Sequence, residues 1–265
     1  MNRVIINELK LKTLKNRLRK IRVMLPIDYE ESEKDYPVLY MMDGQNLIDI
    51  SIFSGYSWDV INTMDQLHDL TKGVIIVGID AHEKKRILEY SPYISKKMEK
   101  YIHKIVKLPV NEIKPEADEF GEFIVNQLKP MIDFEYRTKK SKEYTFIAGS
   151  SCGGVISIYL GLKYQKVFSV IGAFSPAYRF LAPNMENYIN CIDIIEDTRI
   201  YHDMGKKENG IMSFTYLMAQ NRFHQAILKK MDKSRILKIA QEKALHNERF
   251  WAFRFRDFLK FCIRK

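Results

Sequence analysis

Tyr144-Thr145-Phe146-Ile147-Ala148-Gly149-Ser150-Ser151-Cys152-Gly153-Gly154-Val155-Ile156 is the stretch on which the reading of this chain turns. A run of β-formers ends in a Gly-x-Ser-x-Gly window centred on Ser151 and continues into an apolar helical segment, the strand, sharp turn and helix of a nucleophile elbow. Gly149 and Gly153 flank a residue held in a strained backbone conformation, where a Cβ on either would collide with the neighbouring strand or helix. The strain lifts Ser151 Oγ clear of the sheet, and the first N–H groups of the following helix point to the same place. The other possible centres fit less well, because centring on Cys152 puts Ser150 where the first glycine belongs and centring on Ser150 puts Ala148 there. Taken alone the pentapeptide also suits an ordinary small-residue turn, so its meaning depends on partners elsewhere in the chain.

The rest of the composition narrows the class. With 265 residues, 46% of them hydrophobic and 12% aromatic, the chain fits one large α/β domain with ample material for a core. Its apolar runs are strand-sized, short of the roughly 18 residues that suggest a membrane span. The opening residues, Met1-Asn2-Arg3-Val4-Ile5-Ile6-Asn7, lack the apolar region of a signal peptide, so the expected location is the cytoplasm. Cys152, Cys191 and Cys262 are scattered and odd in number, which argues against a disulfide framework or a zinc site. No metal or cofactor is expected. The formal net charge of +10 could favour an anionic ligand, although lysines dispersed over solvated faces account for it more simply. No nucleic-acid motif or Gly-rich phosphate loop is present.

Along the chain, alternating segments at 4–12 and 19–25 around Lys15-Asn16-Arg17 predict an antiparallel hairpin at the edge of a sheet. Continuous apolar runs at 37–42, 73–79 and 167–174 predict buried strands. Asp43-Gly44-Gln45-Asn46 follows the first of these, at the strand end where open parallel sheets bind ligands. Helical spacing occupies 58–70, 117–136 and, more weakly, 184–195. Residues 83–116 form a basic insertion or lid containing Arg86 and Tyr90, and long segments of this kind tend to be functional. A short strand at 199–204, a helix at 211–230, a strand at 235–241 and a closing helix at 248–263 complete the chain. Strands and helices alternate after the hairpin, as in a mostly parallel, doubly wound sheet.

An elbow serine needs a base, and the base needs an orienting carboxylate, each on a loop after a strand. In that order the chain supplies Glu208, three residues beyond Gly205, and His246, between the last strand and the closing helix. His68 and His224 lie in helical patterns, His103 in the insertion, His202 within a strand, and His82 precedes the serine. Asp203 is the rival acid, but its place within the strand favours Glu208. The oxyanion would be held by the backbone N–H of Cys152, after the nucleophile, and of Gln45, in the loop after the earlier strand. Asp43, Asn46, Arg86 and Tyr90 are candidate substrate-binding residues.

Over nearly its whole length the chain resembles the Putative esterase branch of the α/β hydrolases, which includes siderophore esterases, esterase D and mycolyl transferases. The matching residues are Val38-Leu39-Tyr40-Met41-Met42-Asp43-Gly44-Gln45-Asn46, Glu89-Tyr90-Ser91-Pro92, the stretches 123–138 and 147–154, Phe174-Ser175-Pro176-Ala177, 200–208, and His246-Asn247-Glu248 with Trp251. The resemblance implies an α/β-hydrolase fold with Ser151 as nucleophile, His246 as base, Glu208 as orienting acid, and the Gln45 and Cys152 amides as oxyanion hole. Met42, Cys152 and Glu208 depart from commoner family residues, and some members of the siderophore branch work with a Ser-His dyad. The expected activity is a serine carboxylesterase acting on a small-molecule ester or lactone, such as a siderophore-type trilactone or aryl ester. An acyltransferase, a thioesterase and a non-catalytic binding module on the same fold stay open.

Overall fold

The computed structural model describes residues 3–52, 54–195, 197–208, 210 and 213–264, with the side chains of 179–184 set aside. Eight strands form one sheet: β1 (Val4–Leu11), β2 (Arg17–Met24), β3 (Val38–Met42), β4 (Ile75–Ile79), β5 (Thr145–Ser150), β6 (Val170–Phe174), β7 (Arg199–Gly205) and β8 (Ile236–Gln241), in the order β1-β2-β4-β3-β5-β6-β7-β8. The expected hairpin is the β1–β2 pair, Val4 facing Met24. β2 also runs antiparallel to β4, and every pairing from β4 to β8 is parallel. The mostly parallel, doubly wound sheet is therefore as expected.

Helices cover both faces, which explains why the central strands read as unbroken apolar runs. Their side chains still alternate. Tyr40, Met42, Ile147, Ile171 and Ala173 enter one core with α6 (Ala117–Phe123), α8 (Cys152–Lys163), α9 (Tyr178–Asn190) and α10 (Ser213–Leu228). Leu39, Met41, Phe146, Ala148, Val170 and Phe174 enter the other with α2 (Val60–Gln66) and α11 (Glu248–Ile263). α11 begins and ends as the sequence predicts, started by Asn247, whose Oδ1 accepts from Phe250 N at 3.3 Å.

Some boundaries differ. The helix expected over 58–70 is broken at Leu67 into α2 and α3 (His68–Thr71). The stretch expected over 184–195 begins earlier, as α9, and stops at Asn190. Part of the start of the 211–230 helix lies outside the described residues. The 117–136 helix contains a π turn, Ile124–Leu128, between α6 and α7 (Lys129–Glu135), while Phe120, Phe123, Ile124, Leu128 and Ile132 stay buried as their spacing requires. Residues 83–116 hold α4 (Arg86–Glu89) and α5 (Lys96–Val106), and the latter buries Met98 and Ile102, one turn apart.

Candidate active site

β3, β5, β6, β7 and β8 all deliver a loop to one edge of the sheet, and the functional side chains stand on these loops. At the elbow Ser151 adopts φ 56°, ψ −122°, a region that costs an L-residue conformational energy. The turn is held because Ser151 N donates to Phe174 O at 2.9 Å and Ala177 N donates to Ser151 O at 3.0 Å. A Cβ on Gly149 would lie 2.6 Å from Gly153 O, so close approach requires glycine there, and one on Gly153 would crowd Met42 Cβ at 3.0 Å.

The loop after β7 lies against the loop after β8. Lys206 N donates to Gln241 O at 2.8 Å and Lys207 N to Ala244 O at 3.2 Å, and a Cβ on Gly205 would stand 2.4 Å from Ala244 O. This packing brings Glu208 to His246. His246 Nδ1 is 2.9 Å from Glu208 Oε2, and His246 Nε2 is 3.0 Å from Ser151 Oγ. Facing a carboxylate, Nδ1 carries the proton and donates it, which leaves Nε2 as acceptor for the Ser151 hydroxyl. Trp251 buttresses the imidazole edge-on, with ring centroids 5.1 Å apart. The imidazole is about a quarter exposed and Glu208 is wholly buried.

Glu208 Oε1 accepts from Gly205 N at 2.6 Å and from the Ser175 hydroxyl. Asp203, the rival acid, faces elsewhere. It accepts from Ser175 N at 2.9 Å and Tyr201 Oη at 2.8 Å, and stands 2.9 Å from Arg254 Nε. Burial pushes its carboxyl above the ordinary value while Arg254 pulls it back.

Gln45 and Cys152 open α1 (Gln45–Ile48) and α8, where the first N–H groups have no acceptor within the helix. The loop that carries Gln45 is tightly held. Asp43 takes φ 58°, its carboxylate receives Arg86 Nε at 2.6 Å and Nη2 at 2.8 Å, and its amide donates to Tyr90 Oη at 3.3 Å. Gly44 N donates to Ile79 O at 2.9 Å, while the Gln45 side chain accepts from Ala81 N at 2.9 Å. Arg86 also lies over the Tyr90 ring, 5.0 Å from its centroid. Asp43, Arg86 and Tyr90 thus form one bracket, anchored further by the buried pair Arg19–Glu89 at 2.8 Å. Asn46 instead donates to Glu248 Oε1 at 3.0 Å, tying α1 to the start of α11.

The other histidines are engaged elsewhere: His82 Nδ1 accepts from Lys84 N and Lys85 N, and His103 Nδ1 lies 2.7 Å from Leu108 O. Among the described residues, no three His, Cys, Asp or Glu side chains converge to hold a metal ion. None of the described helices is long and apolar enough to cross a membrane.

Ser175 and Trp251 enter the sequence reading only as parts of matching stretches, with no site role, and Arg254 does not enter it. Arg254 left a readable trace, since it falls on the same side of α11 as Trp251, Phe255 and Phe258, and an arginine on the apolar stripe of a helix needs a buried partner.

Known proteins place this architecture. A protein-family model described as Putative esterase matches residues 12–261. The uncharacterized protein YbbA of Bacillus subtilis is 22% identical over 93% of this chain and 93% of its own length. Among solved structures, the enterobactin esterase FES of Shigella flexneri, determined in the presence of enterobactin, superimposes with a TM-score of 0.73 at 16% identity. The match covers 98% of this chain but 58% of that one. An IroE-like serine hydrolase of Shewanella oneidensis gives a TM-score of 0.75 at 20% identity, covering 97% and 79%. At these identities the structures share the fold, that of the α/β hydrolases.

Proposed function

We propose that this chain, which belongs to the Putative esterase family and is an ester-hydrolysing enzyme, works through Ser151 as nucleophile, His246 as base and Glu208 as orienting acid. The observation that carries this reading is the unbroken line from Ser151 Oγ to His246 at 3.0 Å and from His246 to buried Glu208 at 2.9 Å. His246 Nε2 takes the hydroxyl proton as Oγ bonds to the ester carbonyl carbon, and the carbonyl π pair moves onto oxygen. The Gln45 and Cys152 amides receive that oxyanion. The proton then passes from Nε2 to the leaving alkoxide, and water releases the acid from the acyl-enzyme by the same steps. The same unbroken line also favours a catalyst over a bare binding module.

For the substrate we favour a small anionic or aryl ester, with siderophore-type lactones as the first class to try. Support comes from the fold shared with an enterobactin esterase, the positive net charge, and Arg86 beside the oxyanion loop. Asp43 occupies Nε and Nη2 of Arg86, so its remaining nitrogen is the one available to a ligand. Within 83–116, α4 is fastened by Asp43–Arg86 and Arg19–Glu89, and α5 by the burial of Met98 and Ile102. Hydrolysis of p-nitrophenyl acetate by the wild type and by Ser151→Ala tests the reading. Turnover is expected to vanish in the variant with the fold intact, and retained turnover would refute it.

A further inference from the structure

Beside the line from Ser151 to Glu208 stands a second buried carboxylate. Asp203 is fully buried and meets the Ser175 amide, the Tyr201 hydroxyl and the Arg254 guanidinium. The Ser175 amide and the Tyr201 hydroxyl both donate to Asp203, and the Arg254 guanidinium stands beside it as the opposite charge, which suits the ionised carboxylate. Arg254, itself 2% exposed, stands 3.8 Å from Glu208 Oε1 with Nη2, and its Nη1 donates to Gln241 Oε1 at 3.2 Å. One guanidinium is therefore shared between two buried carboxylates, and the cluster carries one negative charge in excess while His246 is neutral.

Ser175 joins the parts. Its hydroxyl oxygen lies 2.9 Å from Trp251 Nε1 and 2.8 Å from Arg254 Nη2. Both of these groups only donate, so the single hydroxyl hydrogen is left for Glu208 Oε1. The same residue, held at φ 43°, gives its backbone N–H to Asp203. Arg254 and Asp203 thus reach Glu208 through one serine whose hydrogen-bond directions are fixed.

Resting on the reading of His246 as the base, we propose that Asp203 and Arg254 are positioning residues that set its basicity through Ser175 and Glu208. As the Ser151 O–H bond breaks and the His246 Nε2–H bond forms, the cluster passes from a net charge of −1 to 0. The imidazolium is thereby stabilised by charged partners that are themselves buried. Among the described residues, the groups facing His246 are Ser151 from the elbow, Glu208 from the loop after β7 and the uncharged Trp251 ring from α11. Glu248 on the first turn of α11 is engaged by Asn46 and Ser54, and Asp43 on the loop after β3 is neutralised by Arg86.

The test is the titration of His246 in the full chain, followed by NMR of ring-labelled histidine, with its signal assigned by loss in His246→Gln. Asp203→Asn removes the excess negative charge and is expected to lower the titration by about one pH unit. Asp203→Asn combined with Arg254→Gln replaces the ion pair by a neutral pair and is expected to return it to the wild-type position. A merely structural role for Asp203 would not be undone by a second substitution. An unmoved or raised titration in Asp203→Asn, or a double variant that keeps the Asp203→Asn value, would overturn the proposal. If Asp203→Asn does not fold, Arg254→Gln takes its place, where a rise supports the coupling and an unmoved or lowered titration overturns it. The readout needs no turnover. Shifts in a protein without esterase activity would refute the role of Ser151 alone, and an active enzyme with unmoved titrations would refute the coupling alone.

Discussion

His246 Nε2 stands 3.0 Å from Ser151 Oγ, across 95 positions of sequence. Two unrelated packings produce this distance: the Gly149–Gly153 approach at the elbow, and the contact between the loops after β7 and β8.

If Glu208 orients His246, Glu208→Gln should place an amide N–H against Nδ1 and favour the tautomer whose Nε2 carries hydrogen and cannot accept from Ser151. The expected loss in kcat for p-nitrophenyl acetate is about 10³-fold or more, with KM little changed. A loss below about tenfold would mean that Ser151 and His246 suffice as a dyad.

The glycine geometry makes a stability prediction. A Cβ on Gly149 meets backbone at 2.6 Å, which cannot swing away as a side chain would. Gly149→Ala should lower the free energy of unfolding by about 3 kcal/mol, read from urea denaturation.

How far the sequence revealed these relationships depended on their range. β3 to β6 were legible because strands buried on both faces read as continuous apolar runs, and Ser151, Glu208 and His246 because each follows a strand in a fixed order. The network under Glu208 was not, because spacing along α11 tells which face of the helix is buried but not that Arg254 will meet Asp203 and Ser175 across the sheet. Asp43 and Arg86 were read as substrate-binding candidates; their pairing depends on α4, which a weak pattern over 83–116 concealed. In α5 the exposed Tyr101 and Ile105 blur the stripe formed by Met98 and Ile102.

Arg86→Met should leave the Asp43 carboxylate without its ion-pair partner beneath the Gln45 loop. Removing one partner of a fully buried pair costs about 3–5 kcal/mol, but the Arg86 side chain is 33% exposed, so a stability loss of about 1–2 kcal/mol is expected. Because Asp43 precedes the oxyanion loop, kcat should fall as well, by about tenfold. Unfolding curves and steady-state rates on the same preparation check both.

Acid should weaken the fold through His202. It is buried with Nε2 3.1 Å from His224 Nδ1, and burial first, then His224 and Lys238, holds its pKa well below the ordinary value. The unfolded chain protonates near pH 6.5 and the folded one does not, so this contribution is constant above that pH and stability falls below it. The slope from this one residue is about 1.4 kcal/mol per pH unit. Urea unfolding at pH 7.5 and pH 5.5 should show a smaller pH difference in His202→Gln than in the wild type.

The central claim, that Ser151 is the nucleophile, is tested most directly by reacting the full chain with a fluorophosphonate probe and locating the adduct by peptide mass spectrometry. The adduct is expected on Ser151 and should be absent in His246→Gln, where the serine loses its base. No labelling of the folded wild type, or an adduct on Ser150 or Cys152 with Ser151 unmodified, would contradict it.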